Sequence, residues 1–173
     1  MLIDLIRAEP TLQDFLRDVC SENDVGVNID PSVFLQDYVI IKVDDYFRSS
    51  IKPTPKGIDC LVVQKCVDNG YKLYLIELKN IQGINSGEDF KRSIYEKIQN
   101  TFDILMSNHF RDMFYNLEYQ FTSIEPYFVS NLKQDKKQKN SKLDALLTMR
   151  PFRFGNRRYG LKLGEPSPLI MPC

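Results

Sequence analysis

Two apolar-rich segments near the middle of this chain constrain its fold more than any other feature. They span residues 58–67 and 71–79, and only Asp68-Asn69-Gly70 separates them. Asparagine and glycine readily adopt the left-handed backbone that tight turns need, so the pattern predicts an antiparallel hairpin. Five of the six residues from Leu73 to Leu78 are apolar or aromatic. That density is typical of a strand buried on both faces inside a sheet.

A carboxylate and an ammonium group lie at the end of the second strand, at Glu77 and Lys79. Side chains two residues apart point to the same side of a strand. Burying charged groups is costly unless they pair or bind something, so their position at the exit of a core strand indicates a site. Asp59 lies near the start of the neighbouring strand and is the third candidate.

The length of the hairpin loop decides whether Asp59 shares a face with Glu77 and Lys79. A two-residue loop, Asn69-Gly70, would turn Asp59 away from the other two. A three-residue loop, Asp68-Asn69-Gly70, would place Asp59 opposite Lys79, with all three side chains on one face. The predicted site therefore requires the longer loop or a bulge elsewhere.

These three side chains are the types that metal-assisted phosphodiester cleavage requires. Asp59 and Glu77 offer the hard oxygen ligands that Mg²⁺ prefers. Lys79 beside them can orient or deprotonate a water, or offset charge in the transition state. The alternative is structural: Glu77 and Lys79 compensate each other at a partly solvated strand end, and Asp59 caps a turn after Gly57.

The motifs around these residues carry a resemblance to a known group. Gly57-Ile58-Asp59, the apolar strand and Ile76-Glu77-Leu78-Lys79-Asn80 resemble the PD-(D/E)xK nuclease superfamily, which includes many type II restriction endonucleases and repair nucleases. The resemblance covers the strand motifs as residues and about residues 31–130 as an order of elements. Pro55 does not adjoin Asp59, so the literal proline–aspartate dipeptide is absent, at a position where members commonly vary.

The resemblance implies a fold and a set of roles. The implied fold is α/β and restriction-endonuclease-like, with a central mixed β-sheet flanked by helices. Asp59 and Glu77 would be metal ligands together with the Leu78 carbonyl, and Lys79 would be the catalytic lysine. The implied cofactor is Mg²⁺, for which Mn²⁺ is expected to substitute.

A third acid is expected from the helix before the hairpin, since such enzymes often add one there. Asp30 followed by proline favours a helix start, and the sequence predicts a helix over residues 31–47. Its candidates are Asp37 and Asp44, which fall with Arg48 on one narrow polar stripe. A surface pair between Asp44 and Arg48, with Asp37 solvated, explains the same residues without a site.

The remaining sequence predicts further elements of one α/β domain. A length of 173 residues fits a single nuclease-like domain, 1–173, with its core at about 31–130 and a basic C-terminal extension at 133–163. Further predicted elements are a helix over 86–107, a strand over 119–130 and a hairpin over 152–163.

The distribution of charge indicates a nucleic-acid partner. The chain has 23 basic and 23 acidic residues. Residues 133–163 hold ten Lys and Arg against two acids and carry +8, whereas the remainder carries −8. Such a segment can contact phosphates. The resemblance implies duplex DNA as the partner, and with a palindromic target it would imply a homodimer. A solvated lysine loop with ordinary surface arginines is the alternative.

Cysteine usage and hydropathy favour a cytoplasmic protein. The four cysteines have no metal-ligand spacing, and Cys60 and Cys66 lie in strand-like apolar sequence. Buried thiols in a reducing compartment are therefore expected for Cys20, Cys60, Cys66 and Cys173. No apolar run is long enough to span a bilayer, and the first nine residues carry acids where a signal peptide would carry bases.

The leading hypothesis from the sequence is a Mg²⁺-dependent endonuclease that hydrolyses phosphodiester bonds of DNA, of the type II restriction or defence kind. One alternative is an RNA endonuclease on the same scaffold. Another is a non-catalytic module that retains the fold and binds nucleic acid or protein. His109 is the only histidine, which excludes mechanisms based on histidine dyads and argues against a zinc site.

Overall fold

The computed structural model describes residues 1–80, 88–131, 146, 148–164 and 167–173. The strands are β1 (Leu16–Arg17), β2 (Cys20–Glu22), β3 (Val25–Ile29), β4 (Tyr38–Lys42), β5 (Cys60–Lys65), β6 (Gly70–Lys79), β7 (Gln120–Ser130), β8 (Phe152–Phe154), β9 (Arg157–Tyr159), β10 (Lys162–Gly164) and β11 (Leu169–Ile170). The helices are α1 (Leu2–Ala8), α2 (Val43–Ser50), α3 (Glu88–Asn100), a π-helix (Thr101–His109) and α4 (Arg111–Phe114). Two 3-10 turns cover Gln13–Phe15 and Leu35–Asp37. No helix within the described residues has the length and apolar character needed to cross a membrane.

The central layer is a six-stranded mixed sheet with the order β1-β4-β5-β6-β7-β10. The pairs from β1 to β6 are antiparallel, whereas β7 is parallel to both β6 and β10. A parallel pair needs a crossover connection, and α3, the π-helix and α4 lie between β6 and β7 in the chain. The predicted α/β class with a central mixed sheet is therefore confirmed.

The two faces of this sheet bury different layers. On one face Leu61 and Leu75 pack with the helices. On the other face Val62 and Ile76 pack in a second apolar layer, beneath a smaller sheet of order β11-β3-β2. Strands enclosed on both sides need apolar residues at successive positions, which is the pattern that the sequence of β6 displays. A charged side chain at the end of β6 is therefore surrounded by packed structure.

The predicted helix over residues 31–47 is wrong. This segment forms a 3-10 turn, then β4, then the start of α2. Asp30 does not cap a helix, because its carboxylate accepts a hydrogen bond at 2.9 Å from the Ser32 N–H in a local turn. The β-branched run Val39–Ile41 alternates between the two apolar layers, an arrangement that a strand provides and a helix does not.

The hairpin has a three-residue loop, displaced by one residue from the predicted position. The loop is Val67-Asp68-Asn69, and the Cys66 N–H donates to the Gly70 carbonyl at 2.7 Å. The last two loop residues have φ of 53° and 57°, in the left-handed region that Asp and Asn tolerate. Gly70 is not part of the loop but begins β6. A Cβ at this position would lie 3.0 Å from the Val67 carbonyl oxygen.

The cysteines form two disulfides, so the expectation of buried thiols is wrong. Cys20 pairs with Cys60 and Cys66 with Cys173, with Cα–Cα distances of 6.1 and 5.2 Å. The partners are 40 and 107 residues apart. Only the tertiary fold brings them together, which is why their spacing gave no signal. The disulfides also remove one ground for expecting a reducing compartment.

Later elements agree with the sequence in type and differ in extent. Helix α3 and the π-helix cover 88–109, where a helix over 86–107 was predicted. Strand β7 begins one residue after the predicted strand, 119–130, and ends with it. The predicted 152–163 hairpin is shorter, because β10 leaves it to pair with β7. Residues 133–145 and 147 of the basic extension lie outside the described residues.

Candidate active site

The register of the hairpin brings Asp59 and Glu77 to one face of the sheet. Cys60 pairs with Ile76, so Asp59 directly precedes one partner and Glu77 directly follows the other. Because side chains alternate along a strand, both point to the face that packs against the helices, as does Lys79. Asp59 therefore lies opposite Glu77 and not opposite Lys79, yet the three share a face as the site requires.

The site lies at the carboxyl ends of two parallel strands. Strands β6 and β7 end side by side, where Lys79 pairs with Ser130. Ligands of open α/β sheets commonly bind at such an edge. Glu77 and Asp59 are only 2% and 5% exposed. The Leu78 N–H donates to Asp59 Oδ2 at 2.7 Å, so one strand end holds the acid of the other.

A lysine from helix α3 pairs with Glu77. Lys97 Nζ lies 2.5 Å from Glu77 Oε1. The other carboxylate oxygen, Oε2, is buried and has no hydrogen-bond partner among the described residues. A buried polar atom without a partner is costly, so this oxygen marks a position where a cation or donor would be stabilised.

A second lysine lies at the end of β4 among several acids. Lys42 Nζ is 3.8 Å from Asp59 Oδ1, 3.7 Å from Asp44 Oδ1 and 4.0 Å from Glu22 Oε2. Asp44 Oδ1 is buried and, within the described part of the chain, also lacks a hydrogen-bond partner. We call Asp44, Asp59 and Glu77, with Lys42 and Lys97, the acidic cluster. Two of its acids, Asp44 and Glu77, each present one oxygen that has no hydrogen-bond partner among the described residues.

The junction between β4 and α2 positions Asp44. Its backbone N–H donates to the Ile58 carbonyl at 3.0 Å, which holds the first turn of α2 against the residues before β5. Gly57 allows this contact, because a Cβ there would lie 3.2 Å from Asp44 Cα and 2.9 Å from the Phe47 ring. The glycine of the Gly57-Ile58-Asp59 motif is therefore explained by close packing.

Burial and mutual repulsion disfavour ionisation of the acids. Burial, followed by the charge of Asp59, raises the pKa of Glu77 to about 8. Burial is also the main cause that raises the pKa of Asp59 and the pKa of Asp44. For Lys97 burial acts to lower the pKa, but the adjacent Glu77 carboxylate raises it overall. A further positive charge in the cluster would favour the ionised acids.

Of the other predicted residues, Lys79 and Asp44 lie in or near the acidic cluster, and Asp37 lies far from it. Lys79 is half-buried, and its charge acts to lower the pKa of Glu77. Asp44 lies in the cluster, whereas Asp37 precedes β4 and lies at the opposite end of that strand. The predicted surface pair is also present, since Arg48 contacts Asp44 Oδ2 at 2.9 Å.

Sequence reasoning missed both of the lysines that contact the acids. Lys97 lies next to the buried Ile98 and three residues after the buried Ile94, at the edge of the apolar stripe of α3. A long side chain at such an edge can extend along apolar surface to a polar group. Lys42 directly follows the apolar run of β4, a signal equivalent to the one that identified Glu77.

The donor set fits a hard divalent cation. Mg²⁺ commonly keeps several waters and uses only one or two protein carboxylates. The buried oxygens Glu77 Oε2 and Asp44 Oδ1, which lack hydrogen-bond partners among the described residues, are compatible with such an ion. In the residues described, no group of three or more His, Cys, Asp and Glu side chains is arranged to hold a metal as it stands. Comparisons of the chain with known protein families, with curated proteins and with solved structures gave no match.

Proposed function

We propose that this chain is a Mg²⁺-dependent endonuclease that hydrolyses phosphodiester bonds of duplex DNA. The observation that carries the proposal is the buried pair Asp59 and Glu77 on one face of adjacent strands, with Glu77 Oε2 unsatisfied among the described residues. The central mixed sheet, with helices packed on the face that carries the site, supports a restriction-endonuclease-like arrangement. Asp44 supplies an acid from the helix before the hairpin, as PD-(D/E)xK enzymes often do.

The proposed role of each side chain follows from its chemistry. Asp59 and Glu77, with the Leu78 carbonyl, would hold the cation. When bound, Mg²⁺ supplies Lewis acidity toward a phosphoryl oxygen and lowers the pKa of a water. Lys79 lies two residues after Glu77 on the same face, and its charge reaches Glu77. From there its ammonium would orient the attacking water and offset negative charge that develops on the phosphate.

An arginine pair supports a polyanionic partner. Arg153 and Arg158 lie directly opposite each other on β8 and β9, and both are exposed. Like charges at opposed positions destabilise a hairpin, whereas a phosphate between them would replace repulsion by charge-assisted hydrogen bonds. The hairpin is anchored through its other face, where Phe152 stacks on Tyr95 of α3 at 5.3 Å. The two guanidinium groups are therefore held on a fixed, outward-facing support.

Cleavage assays on variants test the proposed site. We expect the wild-type protein to cut labelled duplex DNA in Mg²⁺ and to stop in EDTA. Asp59→Asn, Glu77→Gln and Lys79→Met should each lower the rate by roughly 100-fold or more, because each removes a cation ligand or the charge that stabilises the transition state. Glu118→Gln is the matched control, since this exposed carboxylate lies just before β7, at the end opposite the site.

Other outcomes of the same assay identify the alternatives. Cleavage of labelled single-stranded RNA but not of duplex DNA would show an RNA endonuclease. A non-catalytic module would cut neither substrate and, in a calorimetric titration with Mn²⁺, would show no binding that depends on Glu77. Undiminished cleavage by Asp59→Asn or Glu77→Gln, with native circular dichroism, would remove the proposed metal site.

The arginine pair makes a separate prediction about salt dependence. In the Arg153→Ala/Arg158→Ala variant, the slope of log affinity for duplex DNA against log salt should fall in magnitude by about 2, because each phosphate contact contributes roughly 0.9. Filter binding at several salt concentrations measures the slope. Arg111→Ala, which removes an exposed arginine of α4, is the control. An unchanged slope in the double variant would exclude this hairpin from the interface.

A further inference from the structure

The contact between Lys97 and Glu77 uses only one of the two carboxylate oxygens. Lys97 Nζ lies 2.5 Å from Oε1, and Oε2 has no hydrogen-bond partner among the described residues. We propose that Lys97 is a positioning residue, which fixes the Glu77 carboxylate by Oε1 so that Oε2 is presented to a divalent cation. This inference rests on the proposed function, because it assigns a task to a residue that supports the proposed metal ligand.

The helix that carries Lys97 is firmly held, as a positioning role requires. Ile94 and Ile98 on the same helix are buried in the main core. The buried Thr101 hydroxyl donates to the Lys97 carbonyl at 2.9 Å, within the helix. The Lys97 side chain thus leaves a fixed backbone, and its length leads the ammonium to Glu77. Support of this kind is how neighbouring groups commonly orient metal ligands.

The charges around Lys97 are consistent with this role. Lys97 contacts Glu77 directly and also interacts electrostatically with Asp59 and Asp44. Lys42 contacts Asp59 and Asp44 at the other side of the cluster. Each of these two lysines therefore offsets acids without occupying Glu77 Oε2, the oxygen left for a cation.

The chemistry of lysine, as opposed to arginine, is essential to the inference. An ammonium is a compact donor that can contact a single oxygen, whereas a guanidinium presents parallel N–H groups that engage both oxygens of a carboxylate. An arginine at position 97 would preserve the ion pair with Glu77 but occupy Oε2 as well. A purely structural ion pair would tolerate that exchange, and a positioning residue would not.

Manganese binding by a conservative variant tests this distinction. Isothermal titration with Mn²⁺, together with thermal denaturation in EDTA, would compare the wild type with Lys97→Arg. We expect Lys97→Arg to keep the wild-type denaturation midpoint in EDTA and to bind Mn²⁺ roughly 10–100-fold more weakly. Lys91→Arg is the control: Lys91 lies on the same helix and pairs with Glu88, outside the cluster, so its affinity should be unchanged. Wild-type affinity in Lys97→Arg would overturn the inference.

A second variant covers the case in which Lys97→Arg does not fold. Lys97→Met removes the ammonium that contacts Oε1, so Mn²⁺ should bind roughly tenfold more weakly than to the wild type. Unchanged or tighter binding would overturn the inference, because the ammonium would then add nothing to cation binding or would compete with the cation. If the wild type itself shows no Mn²⁺ binding that depends on Glu77, the proposed function fails with it. Wild-type binding that Lys97→Arg leaves unchanged overturns the positioning role alone.

Discussion

Glu77 places an ionisable carboxylate where water scarcely reaches it. The residue is 2% exposed, and Lys97 contacts one of its oxygens. Removing a charge from water is expensive on the scale of a domain's net stability, and a single ion pair often compensates for it incompletely. The pKa of Glu77, raised to about 8 by burial first and by Asp59 second, reflects that shortfall. The stability of the metal-free protein should therefore depend on this one group.

We predict that the metal-free protein becomes less stable as pH rises from about 5 to about 8. A carboxyl whose folded pKa exceeds its unfolded pKa binds more protons when folded, so the free energy of unfolding decreases between the two values. For Glu77 this window runs from 4.5 to about 8, and the raised pKa of Asp59 acts in the same direction from 3.8 upward. The raised pKa of Lys97 affects stability only above pH 10.5, outside the window.

Urea denaturation in EDTA at several pH values measures this effect. We expect a loss of a few kcal/mol for the wild type, since each pH unit between the folded and unfolded pKa corresponds to ~1.4 kcal/mol. Glu77→Gln should make the slope clearly smaller, with the remainder due to Asp59 and Asp44, and Glu118→Gln should keep the wild-type slope. An equal slope in Glu77→Gln would assign the pH dependence to other groups.

At the scale of residues, the sequence predicted site residues that lie within one hairpin but not those that a separate element contributes. Glu77 and Lys79 were predictable as a pair because side chains alternate along a strand, and Asp59 joined them because a three-residue loop fixes the parity of the hairpin. Lys97 was not predictable in this way. It contacts Glu77 from a different element, 20 residues away, and neither alternation nor helical periodicity specifies which strand end a helix side chain reaches.

The contact between α2 and the residues before β5 is the junction on which the position of Asp44 depends. We predict that Gly57→Ala destabilises the protein by about 1–3 kcal/mol, because the new Cβ would overlap packed atoms of Phe47 and Asp44. Urea denaturation measures the loss. Gly160→Ala is the control, since a Cβ there meets nothing within 4 Å. Equal stability of the two variants would show that α2 can move aside without cost.

Elements were predictable where their length and periodicity agreed. The long amphipathic stripe of α3 and the two-sided apolar run of β6 each favour one structure strongly. The segment 31–47 was misassigned because a short apolar run followed by a polar stripe fits either a strand and a helix or one longer helix. The tertiary structure decided between them, since Val39 and Ile40 fill apolar layers on opposite faces of the sheet.

The two disulfides constrain the molecule as a whole. In the chain-entropy account, closing loops of 40 and 107 residues stabilises the fold by about 4 and about 5 kcal/mol. We predict that Cys66→Ala/Cys173→Ala lowers the free energy of unfolding by a few kcal/mol, as does Cys20→Ala/Cys60→Ala. Urea denaturation of oxidised protein tests both variants. Reductant should destabilise the wild type but leave a variant without cysteines unchanged. A wild type indifferent to reductant would contradict the prediction.

At the scale of the molecule, local sequence patterns predicted the class of fold but not which distant segments pair with each other. Alternating strands and helices predicted a mixed sheet flanked by helices. The mixed sheet is present, but the helices pack on one of its faces and the β11-β3-β2 sheet covers the other. The pairing of β10 with β7, of β11 with β3, and of the cysteines all join segments far apart in the chain. Such contacts depend on the shape of the assembled sheet, which no local pattern encodes.

Helix α3 contacts both the acidic cluster and the β8–β9 hairpin that carries Arg153 and Arg158. Lys97 contacts Glu77, and two residues later Gln99 exchanges two hydrogen bonds of 3.0 Å with the backbone of Arg153. The side chains of Lys97 and Gln99 leave helix α3 about 200° apart, on opposite sides of the helix. If binding of an ion shifts this helix, the hairpin that carries the guanidinium groups of Arg153 and Arg158 shifts with it. Under the proposed function, thermodynamic reciprocity then requires that any factor by which Mg²⁺ strengthens DNA binding equals the factor by which DNA strengthens Mg²⁺ binding.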